Sequence, residues 1–324
     1  MIDITDIEAA ARRLEGVSVR TPLIRNDELD RVARGCVLVK AENLQAIGSF
    51  KIRGAYNLMS QLTAEQASRG VVAFSSGNHA QGVALAGQLL GIHAAIVMPE
   101  DAPRAKIEST RRLGGEVITY DRYTGDREAI AREIAAERGA ALVPSYDHEH
   151  IIAGQGTVGL EIAEQAVAMQ LPPDQVLINC GGGGLSAGSA VALKARLKGV
   201  SMRTVEPEDF DDTARSIAAG KRVKVAPGSR SICDALLADS PGALPFEIHR
   251  QLFDAGLVVS DREVRDAMRF AFRSLKMVVE PGGAVSLAAV LSGRIETEGK
   301  TTVVVISGGN VDLEQFAAIQ ETAD

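Results

Sequence analysis

Apolar and polar positions alternate along this chain in a way that separates short strands from amphipathic helices. Residues 71–74, 94–98, 116–120 and 141–143 are short apolar runs that read as strands, and the segments between them, 79–90, 103–113 and 126–138, carry apolar residues at helical spacing. This order builds right-handed βαβ units, so the stretch is expected to form a small open parallel sheet with helices. Before it, residues 5–15 read as a helix capped by Thr5 or Asp6, with Ile7, Ala10, Ala11 and Leu14 on one face. An extended stretch at 21–24, a helix at 27–33, a strand at 36–40 and a helix at 52–62 follow. Gly154-Gln155-Gly156-Thr157 is expected to open a helix reaching Met169. After Pro172-Pro173 a second α/β series begins at 176–180, with further strands expected at 202–206, 256–259 and 301–306. The predicted architecture is a two-domain α/β protein, with residues 1–68 and 148–324 as the large domain and 69–147 as the small one. Residues 220–245 lack periodicity and read as a surface excursion or a binding loop.

Composition sharpens this picture. A chain of 324 residues, 46% hydrophobic and 24% charged, has enough material for two packed cores. A net charge of −7 offers no broad basic face, which argues against nucleic acid and anionic membranes as partners and for a small ligand. The three cysteines, Cys36, Cys180 and Cys233, form no Cys-x-x-Cys pair, so a disulfide framework or zinc knuckle is not expected and a reducing cytoplasm is. The first six residues are polar, and no apolar run reaches about 18 residues, so neither export nor a membrane span is expected.

Four stretches carry candidate chemistry. Lys51 lies among small and apolar residues in Gly48-Ser49-Phe50-Lys51-Ile52-Arg53-Gly54-Ala55. A lysine held away from water has a lowered pKa and serves as a Schiff-base amine, although a buried stem with a solvated head gives the same pattern. Cys180 to Gly188, with glycines at 181–184, joins a strand to a helix as a phosphate cradle does. Gly182-x-Gly184-x-x-Ala187, followed by Glu206 at the end of the next strand, also matches a dinucleotide fingerprint, which makes an NAD-dependent oxidoreductase the runner-up. Ser75-Ser76-Gly77-Asn78-His79-Ala80-Gln81-Gly82 ends a strand, where open α/β sheets bind ligands, and reads as a ligand loop or a plain helix cap. Ser307-Gly308-Gly309-Asn310 presents a serine to a ring nitrogen or makes a turn. No Gly-x-Ser-x-Gly elbow occurs. Asp147-His148-Glu149-His150 reads as a solvated connector, and the acidic run 206–212 as a hard-cation site or an exposed loop.

Taken in order, GSFKIRGA, SSGNHAQG, CGGGGLSAG and SGGN resemble the fold type II pyridoxal-phosphate enzymes, specifically the threonine/serine dehydratase and serine racemase family. The likeness spans nearly the whole chain and implies a tryptophan synthase β-like fold. It implies that Lys51 carries pyridoxal 5'-phosphate and moves the substrate α-proton, and that Phe50 and Asn78 flank the pyridine ring. It further implies that Gly181, Gly182, Gly183, Gly184 and Leu185 hold the phosphate, that Glu280 lies at the ring edge, and that Ser307 meets the ring nitrogen. Ser75, Ser76 and Gly77, with His79, are placed for the substrate carboxylate, and Ser76 matches the serine that works on the opposite face in racemases. The implied reaction removes water and then ammonia from threonine, serine or 3-hydroxyaspartate to give a 2-oxo acid, with racemisation as the alternative. Glu206, the Phe210 carbonyl and Asp212 match a divalent-cation site for Mg²⁺, or for Ca²⁺ or Mn²⁺. Residues 120–123, 126–128 and 145–148 look most like the 3-hydroxyaspartate ammonia-lyase branch. Two departures, Cys233-Asp234-Ala235 for Ala-Asp-Gly and Glu280-Pro281-Gly282-Gly283 for Glu-Pro-Thr/Ser-Gly, leave the substrate open. A homodimer without an isoleucine-binding regulatory domain is expected.

Overall fold

A computed structural model of the chain describes residues 2–102, 104–121 and 123–321, so Pro103 and Arg122 of the segments discussed above lie outside the described residues. Among these, the strands form two sheets. The larger has the order β1 (Leu23–Arg25), β2 (Cys36–Ala41), β10 (Thr301–Ile306), β7 (Gln175–Asn179), β8 (Ser201–Pro207) and β9 (Ala255–Val259). All its neighbours are parallel except β1 on β2. The smaller sheet, β5 (Glu116–Tyr120), β4 (Ala94–Pro99), β3 (Val71–Phe74) and β6 (Ala141–Leu142), is parallel throughout. Parallel strands buried on both faces read as unbroken apolar runs, and Val303 to Ile306 are fully buried.

Helix α1 (Ile4–Arg13) is capped by Asp3, not by Thr5 or Asp6: the Asp3 carboxylate accepts the Thr5 and Asp6 N–H groups, and Asp6 reaches back to the Asp3 N–H. After α2 (Asp27–Ala33), helix α3 (Lys51–Met59) places Ile52, Ala55, Leu58 and Met59 in one cluster with Val71, Ala73 and Ile96 of the smaller sheet, although residues 1–68 also supply two strands of the larger. Helices α4 (Ala64–Arg69), α5 (Asn78–Leu90), α6 (Arg104–Arg112) and α7 (Arg127–Arg138) complete the smaller unit.

Helix α8 (Glu149–Ala168) begins five residues before the sequence suggests, and it contains the glycines that propensity disfavours. Packing is the reason. A Cβ on Gly156 would sit 2.8 Å from the Gly188 carbonyl oxygen, and one on Gly188 only 2.2 Å from that of Ile152, so α8 and α9 (Gly184–Arg196) meet backbone to backbone. The chain continues through α10 (Asp212–Ala219), α11 (Ala243–Leu252), α12 (Asp261–Phe270), α13 (Pro281–Leu291) and α14 (Leu313–Glu321). Helix α13 is buried nearly all round, so its sequence carries no amphipathic stripe to read.

Between α3, β2 and α8 lies a buried ion cluster. Arg53 donates to both Glu42 oxygens at 2.8 Å and to Glu161 at 2.7 and 3.0 Å, while Lys40 Nζ donates to Glu161 at 2.6 Å and to the Thr21 carbonyl at 2.7 Å. Each charge is paired and hydrogen-bonded, which is what permits two cations and two anions in one interior. The helix that starts at Lys51 is thereby fixed two residues further along.

Candidate active site

The segment before Lys51 is held by the segment after β10. Ser49 bridges to Gly308, the Phe50 N–H donates to the Ser307 carbonyl at 3.3 Å, and the Gly309 N–H donates to the Gly48 carbonyl at 2.9 Å. Lys51 is therefore delivered beside Ser307. Its Nζ donates to the Ser145 carbonyl at 3.0 Å and lies 5.0 Å from the centre of the Phe50 ring. Burial pulls its pKa down to about 8, against the opposing charge of Glu280. This lysine is half-buried, with its head bonded to the protein.

Around it stands a wall of amides. Ser307 Oγ accepts from Asn179 Nδ2 at 3.0 Å, and the same amide donates to the Gly282 and Gly283 carbonyls. Asn78 donates to Glu280 Oε1 at 2.7 Å and accepts from Asn310 at 2.7 Å. Burial, then the charge of Asp234, pushes Glu280 up to about 8, so it is largely protonated near neutrality. A Cβ at Gly308 would lie 2.2 Å from Glu280 Oε1, so a side chain there would push the Glu280 carboxyl aside. Sequence reasoning missed Asn179; its signal was a polar residue ending an apolar strand just before the glycines.

Those glycines open α9 without a side-chain cap, which leaves the first-turn N–H groups facing outward. Gly183 has φ 94°, and a Cβ there would lie 2.6 Å from the His249 ring. A Cβ on Gly182 would lie 2.3 Å from the Tyr146 ring, and one on Gly184 2.4 Å from Gln155 Oε1. That Gln155 oxygen is buried without a hydrogen-bond partner. Open N–H groups at a helix N-terminus, in a run where side chains are excluded, fit a bound phosphate; the Gln155 oxygen, an acceptor, takes no part in holding one. Tyr146, Gln155 and His249 were not foreseen. His249 is buried 2.8 Å from Ser186 Oγ, and burial drops its pKa to about 3, so it is neutral. Asp147 accepts the Ala243 and Leu244 N–H groups, both at 2.9 Å, and His148 accepts the His150 N–H, so the expected connector caps α11 and α8.

At the end of β3, the Ser75 N–H donates to the Val97 carbonyl at 3.1 Å and Ser75 Oγ accepts from the Gly77 N–H at 3.2 Å. Helix α5 starts after Gly77 with no side-chain cap, so neither serine is a plain helix cap, and Ser76 is half-buried. His79 is turned into the smaller sheet, with Nε2 2.8 Å from the Val143 carbonyl; burial, then Lys51, lowers its pKa to about 3. The two departures from the family pattern meet each other. The Ala235 Cβ lies 3.1 Å from where a Cβ of Gly282 would stand, so a methyl gained in one loop fills part of the space given up in the other.

Glu206 and Asp212 come together at the end of β8. The Glu206 carboxylate accepts the Thr213 and Ala214 N–H groups at 2.8 and 2.7 Å, which turns it away from the role of a ribose partner. Both Asp212 oxygens are buried without a hydrogen-bond partner. Burial, then Asp212, raises the Glu206 pKa well above the usual carboxylate range. Among the described residues no group of three or more His, Cys, Asp or Glu is arranged to hold a metal. No helix among them is long and apolar enough to cross a membrane.

Comparison with known proteins agrees with this geometry. The chain is 43% identical to an L-threo-3-hydroxyaspartate ammonia-lyase of Pseudomonas sp., over 97% of each. It is 41% identical to an L-threonine ammonia-lyase of Thermotoga maritima, over 98% of this chain and 78% of the relative. The solved structure of maize serine racemase superposes with a TM-score of 0.92 at 38% identity, covering 98% of this chain and 96% of that one. The family profile described as "Pyridoxal-phosphate dependent enzyme" matches residues 15–308, which displaces the dinucleotide reading of the glycine run. On these grounds the chain belongs to the pyridoxal-phosphate dependent enzymes.

Proposed function

We propose that this enzyme eliminates water and then ammonia from a β-hydroxy amino acid, 3-hydroxyaspartate, threonine or serine, leaving a 2-oxo acid. The observation that carries this reading is the backbone pairing that sets the segment of the amine Lys51 against the segment of the neutral hydroxyl Ser307. When bound, pyridoxal phosphate supplies the electron sink that makes the substrate α-proton acidic. Lys51 would hold the cofactor through its amine and, once released, take the α-proton at Nζ; its lowered pKa keeps part of it neutral near pH 7. Because Ser307 Oγ accepts from Asn179, its own proton is left to donate to the ring nitrogen. A neutral donor there limits charge spread into the ring, which suits elimination better than transamination.

Asn78 Nδ2 has a second hydrogen for the phenolic oxygen, Phe50 would lie beside the ring, and Glu280 would stand at its edge. Gly181 to Gly184 and Leu185 would hold the phosphate with backbone N–H groups. Ser75, Ser76, Gly77 and the His79 backbone at the start of α5 would bind the substrate carboxylate. Glu206, the Phe210 carbonyl and Asp212 would hold Mg²⁺, Ca²⁺ or Mn²⁺; the unpartnered oxygens of buried Asp212 beside Glu206 support this. Residues 69–147 would be the small domain that closes on the large one.

A second reading, racemisation, is favoured by Ser76, half-buried just before α5 and not engaged as its cap. The test is ammonia and 2-oxo acid release by the reconstituted enzyme from L- and D-serine, L-threonine and the 3-hydroxyaspartate isomers, with and without Mg²⁺. Release from at least one is expected. No release from any overturns the lyase reading, and enantiomer formation without 2-oxo acid replaces it with racemisation.

A further inference from the structure

We propose that Lys106 is a specificity-determining residue that receives the second carboxylate of a dicarboxylic β-hydroxy amino acid, taking it in exchange for Asp234. This rests on the lyase reading above and names its substrate class.

Lys106 stands on α6, which follows β4, and so lies at the carboxyl edge of the smaller sheet, the edge that also carries Ser75 to Gly77. Its side chain is 16% exposed, and its Nζ reaches across to the Asp234 carboxylate of the larger unit at 2.6 Å. Asp234 is 55% exposed. The cation of the pair is thus half-buried while its partner is open to water. Such a carboxylate can leave for solvent at little cost, whereas Lys106 loses more by being left without an anion.

The pair lies close to the Glu280–Asn78 bond. Ala235 packs where a Cβ of Gly282 would reach, and Glu280, two residues earlier, is bonded to Asn78. The charges of both Asp234 and Lys106 act on Glu280, and those of Asp234, Glu280 and Asp312 hold the Lys106 pKa above its usual value. A monocarboxylic substrate leaves the bridge intact. A dicarboxylic one replaces one carboxylate on Lys106 by another with no change in the local charge, and Asp234 turns to water.

Binding of L-malate, with two carboxylates, and L-lactate, with one, tests this by calorimetry on the holoenzyme. Neither carries an amine, so neither reacts, and the result stands apart from the lyase reading, whose own failure shows as no 2-oxo acid from any amino acid. The wild type is expected to bind L-malate about 10- to 100-fold more tightly than L-lactate, the range of one charge-assisted bond. Lys106→Met is expected to remove that preference and to lower the ratio of kcat/KM for 3-hydroxyaspartate over serine by a similar factor. Asp234→Asn keeps Lys106 and is expected to retain or enlarge the preference. The visible cofactor band verifies that both variants are folded. Equal binding of the two acids by the wild type, or an unchanged preference in Lys106→Met, overturns the proposal. Loss of the preference in Asp234→Asn also overturns it, since the bridge then only joins the two lobes.

Discussion

Ser307 Oγ accepts a hydrogen bond from Asn179 Nδ2 at 3.0 Å, and the Asn179 Oδ1 is in turn held by the Ser286 N–H and hydroxyl. The orientation of Ser307 is therefore set by a residue on the neighbouring strand. Ser307→Ala and Asn179→Leu are each expected to lower kcat about tenfold, the worth of one neutral hydrogen bond. The double variant should lose little more than Asn179→Leu alone, because the two act as one unit. Steady-state assay of 2-oxo acid checks this, and full additivity would separate the two residues.

Lys51 titrates near pH 8 in the folded apoprotein, below its ordinary 10.5. Pyridoxal phosphate reacts with the neutral amine, so uptake by the apoprotein should speed up as pH rises, with a midpoint about 8, followed by absorbance. A midpoint near 10 would restore the solvated lysine. Between pH 8 and 10.5 the unfolded chain binds this proton and the folded one does not, so the group makes the apoprotein more stable as pH rises through that window.

Arg53 neutralises Glu42 and Glu161 where none of the three reaches much water. Arg53→Leu leaves two buried carboxylates with Lys40 alone, and the expected loss of stability is about 3–5 kcal/mol, read from the urea midpoint. A loss below about 1 kcal/mol, the range of a surface pair, would mean that the cluster is hydrated.

Asp212 offers two unpartnered oxygens beside Glu206. Chelation is expected to lower the melting temperature of the purified protein, and Mg²⁺, Ca²⁺ or Mn²⁺ to restore it, since an ion bound only by the folded state stabilises it. In Asp212→Asn neither treatment should move the melting point. A wild-type protein insensitive to chelator and to all three ions would leave these carboxylates without a cation.

The central strands were legible in the chain because they are parallel and buried on both faces, so 71–74 and 303–306 read as continuous apolar runs, while the half-buried edge strand 116–120 keeps Glu116 and Thr119 among its apolar residues. The motifs around Lys51, Asn78 and Ser307 were legible because each couples a turn with one reactive side chain at a strand or helix end, and that at Gly181 because four successive glycines open a helix. Helix α13 and the start of α8 were not. The first is apolar on all faces, and the second has glycines that local propensity counts against helix.

The sequence alone determined the alternation of strand and helix, the lysine motif, the glycine run and the family, all properties of local pattern. Only the tertiary structure decided the partners. Asn179 orients Ser307, Tyr146 and His249 border the cradle, Arg53 joins two distant glutamates, and Lys106 meets Asp234, 128 residues away in sequence. Nothing in a local pattern specifies these, because each is the choice of one nearest counter-charge or hydrogen-bond partner once water has been excluded, and exclusion is a property of the packed whole.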